Sequence, residues 1–94
     1  MEFRLSKEDQ ELLLPLAKRL SHEIESMIQT GVLHIEEDKD LGLIQHAAVV
    51  RSDMLLALRK RKESQQYLSL AKRIRKMRTE LARKSVKKET ATKE

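Results

Sequence analysis

The sequence predicts an all-α protein, a helical hairpin or small three-helix bundle formed by a single domain over residues 1–85. Three observations carry that prediction. Only 2 Gly and 1 Pro occur in 94 residues, so there are few places to turn. The apolar residues recur at helical spacing over long stretches rather than alternating as in strands. With one Phe, one Tyr and no Trp, a core must come from Leu, Ile, Val, Met and Ala. Together with the abundant Lys, Arg, Glu and Gln, these are mostly good helix formers.

The first helix is predicted over about 7–30. Ser6-Lys7-Glu8-Asp9 reads as its start: Ser6 can accept from a backbone N–H of the first turn, and Asp9 sits where the helix dipole is positive. Leu13, Leu16, Ala17, Leu20, Ile24, Met27 and Ile28 then fall on one stripe. Pro15 removes a hydrogen bond and crowds the preceding turn, so a kink or break is expected there, or a fresh helix start with Pro15 at its first position. Gly31 closes the segment as a left-handed cap.

Residues 32–40 read as a connection with apolar anchors, in which Asp38 or Asp40 can cap a second helix over 41–60. That helix carries Ile44, Ala47, Ala48, Met54, Leu55 and Leu58, with Leu41 and Val50 at the edges of the stripe. Arg59 to Gln66 contains no apolar residue, and beyond it the apolar set is Tyr67, Leu70, Ile74, Met77 and Leu81. At about 100° per residue this later stripe points opposite to the earlier one if the helix is straight. Residues 59–66 are therefore either a turn with Ser64 as N-cap, the preferred reading, or a continuous helix whose two ends face different neighbours. A third helix over 64–84 follows, and 86–94, charged and short of apolar residues, is expected to be a disordered basic tail.

The charge is divided along the chain. Residues 1–50 hold 5 Lys/Arg against 10 Asp/Glu, and residues 51–94 hold 15 against 5. Such a split implies that the halves attract each other, that the basic half meets an anionic partner, or both. The basic set is Arg59, Lys60, Arg61, Lys62, Lys72, Arg73, Arg75, Lys76, Arg83 and Lys84. It suits phosphates or an acidic protein surface. With Tyr67 alone available for stacking, duplex DNA or structured RNA fits better than a single strand. The same region could lie on an anionic membrane, but an apolar face without Trp or Phe makes that the weakest of the three.

Several classes are disfavoured. The absence of Cys removes disulfides and thiolate chemistry. The start lacks a secretory pattern and no segment has the run of about 18 apolar residues that a membrane span needs, so a cytoplasmic protein is expected. His22, His34 and His46 lie twelve apart and lack metal-ligand spacing. The run Glu36-Glu37-Asp38-Lys39-Asp40 lacks the glycine and terminal Glu of a calcium loop. Ser21 and His22 are sequence neighbours and diverge on a helix, so they make no dyad. No cofactor is implied and no enzyme is expected.

Phe3-Arg4-Leu5-Ser6, Glu11-Leu12-Leu13, Ala17-Lys18-Arg19-Leu20 and 24–33 resemble, over about a third of the chain, the strand–helix–helix order of ribbon-helix-helix DNA-binding dimers. The resemblance implies a strand whose outward side chains, Glu2 and Arg4 here, read the major groove. Pro15 in mid-helix, an acid at a reading position and no Gly between the helices depart from the pattern, and no residue role is carried over.

The sequence thus points to a small non-enzymatic binding protein, a regulator, adaptor or chaperone that docks on a larger protein, with nucleic-acid binding as the alternative. A chain this short buries a modest share of its surface, so a homodimer is expected. The stripes assigned to self-association or core are Leu13, Leu16, Leu20, Ile24, Met27 and Ile28; Ile44, Ala48, Met54, Leu55 and Leu58; and Leu70, Ile74, Met77 and Leu81.

Overall fold

The structure, a computed structural model, describes residues 1–84 in full. From Ser85 only the course of the backbone to Lys93 is described, so the tail expected over 86–94 lies outside the described residues. The order of elements is β1 (Glu2–Arg4), α1 (Lys7–Ala17), α2 (His22–Thr30), β2 (Val32–His34), α3 (Asp38–Ala57) and α4 (Arg61–Lys93). The fold is predominantly helical, as predicted, with one small sheet added.

α1 begins where the sequence indicated: Ser6 is extended, and its Oγ accepts from the Asp9 N–H at 3.2 Å. The helix runs through Pro15 to Ala17 and stops there. The expected single helix over 7–30 is therefore two helices, and the break lies at 18–21, just beyond the proline. Pro15 has no N–H to offer the carbonyl one turn back, which weakens the last turn. Arg19 and Leu20 then close it with tight bonds to Leu16 and Ala17, both 3.0 Å. Ser21 makes the break worthwhile: its Oγ accepts from Ile24 N at 3.3 Å and caps a new helix.

Gly31 ends α2 at φ 82°, its N–H shared between the Met27 and Ile28 carbonyls. That conformation suits glycine because it has no Cβ to collide with the carbonyl. The chain then reverses into β2, which pairs antiparallel with β1 in the register Glu2↔His34, Phe3↔Leu33, Arg4↔Val32. Leu5 N to Gly31 O and Ile35 N to Met1 O, each 2.8 Å, extend the ladder at both ends. Phe3, Leu33 and Ile35 turn inward and are buried. Residues 32–34, expected as connection, are thus a strand. The β1 strand that the ribbon-helix-helix resemblance implies is present, but it pairs within its own chain.

α3 starts at Asp38, three residues earlier than expected, with no side-chain cap but with Asp38 and Asp40 in its positive first turn. It ends in a reversal over 58–60. Lys60 N bonds Leu55 O at 2.8 Å and Arg59 N bonds Leu56 O at 2.9 Å, enclosing Arg59 at φ 63°. This is a Schellman cap with a non-glycine residue in the left-handed position. The preferred turn is present, shifted to the front of the predicted stretch, and α4 begins at Arg61. Ser64 is therefore not an N-cap. It is buried in the α3–α4 contact, where its Oγ lies 2.8 Å from the Ser52 Oγ and donates to the Ser52 carbonyl at 2.9 Å.

The core lies where α3 and α4 meet and where α1, α2 and the sheet close over one side of that seam. Leu41, Ile44, Ala48 and Leu55 of α3 belong to one buried cluster with Tyr67, Leu70, Ala71, Ile74 and Leu81 of α4. Leu13, Leu16, Ile24 and Ile28 complete it from the N-terminal side. Tyr67 joins the parts, its hydroxyl donating to the Leu12 carbonyl at 2.8 Å.

Two substitutions check this account in urea unfolding. Arg59→Gly is expected to stabilise by about 0.5–1 kcal/mol, because relief of the roughly 1–2 kcal/mol left-handed penalty outweighs glycine's extra chain entropy. Ile74→Ala, at a fully buried position, is expected to cost roughly 2–5 kcal/mol through the cavity it leaves.

Candidate functional site

The ten basic residues singled out in the sequence do not act as one surface. Arg73 is committed to an intramolecular pair at the edge of the core. Its guanidinium makes a two-pronged ion pair with Asp9 of α1, including Nε to Oδ2 at 3.1 Å, and the Asp9 side chain is only 7% exposed. Arg59 lies in the reversal and Lys60, Arg61 and Lys62 beside it, all exposed. Lys72, Arg75, Lys76, Arg83 and Lys84 are exposed on α4. At 100° per residue, Lys62, Lys72, Lys76 and Arg83 share the side opposite the buried stripe. They form a row about 32 Å long at 1.5 Å per residue. Among the described residues none of the four is in an ion pair.

Arg78 was not singled out, yet it is the second clamp. Its Nε and terminal nitrogen donate to the two oxygens of Asp38 at 2.9 and 2.7 Å, and its other nitrogen donates to Gln45 Oε1 at 2.9 Å. The pairing holds the Asp38 carboxyl below its ordinary pKa, first through the hydrogen bonds and then through the nearby positive charge. A cue existed in the sequence: Arg78 falls on the apolar row, four residues after Ile74 and three before Leu81.

The apolar stripes divide differently from the expectation. Leu13, Leu16, Ile24, Ile28, Ile44, Ala48, Leu55, Leu70, Ile74 and Leu81 are buried in the chain's own core. Leu20, Met27 and Met77 pack at its edge. Met54 and Leu58, grouped with them in the sequence, are exposed at 44% and 65%. The reason is that α3 has two apolar sides. One, through Leu41, Ile44, Ala48 and Leu55, enters the core. The other, through Leu43, Ala47, Val50 and Met54, recurs at four-, three- and four-residue steps about 120° away around the helix.

That second side forms one wall of a groove. A cavity of about 320 Å³ is lined by Pro15, Leu16 and Arg19 at the end of α1 and by His46, Ala47, Val50, Arg51 and Met54 of α3. Leu43, 51% exposed, continues the row one turn beyond it. Pro15 contributes an apolar ring to the groove from the last turn of α1. The groove's polar members are cationic or neutral, and among the described residues no carboxylate lines it.

A wider basin of about 740 Å³ opens at the sheet, lined by Met1, Glu2, Ser21, Glu23, His34, Glu36, Glu37, Lys39 and Asp40. His34 approaches Glu2 at 3.9 Å across the strand pair. Among the described residues no three His, Asp or Glu side chains are placed to hold one metal ion. Ser21 spends its oxygen on the α2 cap, and Ser52 and Ser64 satisfy each other. No helix is long and apolar enough to cross a membrane among the described residues. No protein-family profile, curated protein or solved structure matches the chain.

The two clamps yield separate tests. Arg73→Ala strands a buried carboxylate and is expected to cost roughly 2–3 kcal/mol, whereas Asp9→Ala frees a guanidinium already half in water and costs about 1–2 kcal/mol. Urea unfolding of both variants reads the asymmetry. Because Asp38 titrates lower in the folded chain, its contribution is complete above the ordinary aspartate value near 4 and is lost as pH falls through the lowered value. Asp38→Asn should therefore unfold more readily than the parent at neutral pH, with the difference shrinking in more acidic buffer.

Proposed function

We propose that the chain is a non-enzymatic docking protein, a regulator, adaptor or chaperone, that binds a larger protein through the groove between α1 and α3. The observation that carries this reading is the second apolar side of α3. A helix with apolar residues on two sides is ordinarily covered on both, and here the chain covers one. Leu43, Val50 and Met54 stand 41–51% exposed in a row beside a preformed cavity, the arrangement by which a groove accepts the anchor residues of a partner helix. Scattered exposed apolar residues need no explanation, but a contiguous row against a cavity marks an interaction surface.

A second reading rests on the outward row of Lys62, Lys72, Lys76 and Arg83. Four cations spread along about 32 Å of one helix face can neutralise phosphates of duplex DNA or structured RNA. That binding would weaken about a hundredfold between roughly 50 and 200 mM salt. The two readings use different faces and separate cleanly in one experiment.

Pull-downs from nuclease-treated and untreated extract would compare the parent chain with Val50→Gln/Met54→Gln and with Lys72→Glu/Lys76→Glu. Docking through the groove predicts partners that resist nuclease, survive the charge reversal and are reduced about tenfold or more in the apolar variant. Covering the exposed part of each of those two side chains is worth on the order of 1 kcal/mol. Partners lost to nuclease and to charge reversal, and retained by the apolar variant, would replace this reading with the nucleic-acid one.

A further inference from the structure

We infer that the occupant of the α1–α3 groove is an amphipathic helix of a partner protein whose apolar ridge is flanked by carboxylates, recognised by Arg19 and Arg51. The inference rests on the docking reading above and adds the chemistry of the partner. Its starting point is a contrast among the arginines. Arg73 and Arg78, which also lie against the body of the protein, each hold a carboxylate of the same chain through two hydrogen bonds. Arg51 and Arg19 hold none among the described residues, although both line an apolar cavity. The Arg51 Nε is moreover buried without any hydrogen-bond acceptor. A guanidinium set against an apolar wall and left without its anion is the half of a charge-assisted pair that a partner completes.

The shape of the site selects a helix. From Leu43 to Met54 the exposed row runs three turns, about 16 Å at 1.5 Å per residue, which matches anchors at i, i+3 or i+4, i+7 and i+11 on a docked helix. The end of α1 forms the opposite wall with Pro15 and Leu16, while Arg19 and Arg51 stand among the apolar lining. Carboxylates beside the ridge of the incoming helix would meet them.

A second copy of this chain does not fit. An isologous contact pairs a patch with itself, and this patch contains two arginines and no carboxylate. Leu14 of α1 is a single exposed side chain and makes no ridge, and the other exposed apolar residues do no better as a heterologous match. Leu56, Leu58 and Leu68 surround the α3–α4 reversal, where Arg59, Lys60, Arg61 and Lys62 would again bring cation to cation.

The test uses the full chain and two synthetic helical peptides of about 14 residues that share one leucine ridge, flanked by Glu in one and by Lys in the other. Binding is followed by fluorescence anisotropy near physiological salt. The Glu-flanked peptide should bind at least tenfold more tightly. Arg19→Gln/Arg51→Gln should erase that preference while circular dichroism stays as in the parent, and Val50→Gln/Met54→Gln should weaken both peptides. Equal affinities, or tighter binding of the Lys-flanked peptide, would overturn the charge inference and leave groove docking standing. Glu-flanked binding undiminished in the Val50/Met54 variant would place the peptide on α4 and overturn the inference. If neither peptide binds, the docking reading fails along with it. Sedimentation showing self-association that the Val50/Met54 variant abolishes would make the occupant a second copy. Flotation with anionic vesicles that depends on the same two residues would make it a membrane. Either result overturns the proposal.

Discussion

Because α4 is much longer than any other element, the antiparallel seam it makes with α3 decides where everything else can go. Leu41, Ile44, Ala48 and Leu55 meet the row of Tyr67, Leu70, Ala71, Ile74 and Leu81, and the Ser52–Ser64 pair closes the seam next to the reversal. Two buried serines are tolerable there because each hydroxyl is within bonding distance of the other residue's carbonyl, so no polar group is left unpaired in the dry contact. The small side chains also allow the two helices to approach closely where the chain turns. Once the seam exists, α1 and α2 need only cover its open side, and the two short strands fasten the ends of that cover together.

The division of charge has a structural use. Both ion pairs join the acidic first half of the chain to the basic second half, Asp9 to Arg73 with its carboxylate buried and Asp38 to Arg78 at the surface. Attraction between the halves, inferred from composition, therefore operates at two specific points. One ties α1 to α4 and the other ties the start of α3 to α4. Asp9 is nearly fully buried and Arg73 half-exposed, so the carboxylate depends on its partner more than the arginine does. Most of the remaining basic residues on α4 stay on the far side of the helix, in contact with water.

Fixing α1 against α4 also determines what stays uncovered. The last turn of α1 reaches the flank of α3 but does not lie along it, so Pro15 and Leu16 face Ala47, Val50 and Met54 across a gap. The lining of that gap comes from the end of α1, from Arg19 in the break at 18–21 and from α3.

The sequence by itself determined that the chain is helical, where α1 starts and that Gly31 closes the N-terminal helical segment, and it favoured a reversal after the second apolar stripe over a continuous helix. Each depends on local chemistry: a capping hydroxyl, a residue without Cβ, a period of about 3.6. Only the tertiary structure decided the rest. Strands of three residues carry too little alternation to be read alone, and Phe3 with Leu33 becomes legible only as a pair. Asp9 with Arg73, and Asp38 with Arg78, are joined across 64 and 40 residues by packing that no local pattern encodes. The apolar residues of α3 are the clearest case. Ile44 and Val50 are both helix-face residues in the sequence, but burial depends on which side α4 occupies. That choice turned one stripe into core and left the other as the wall of the groove.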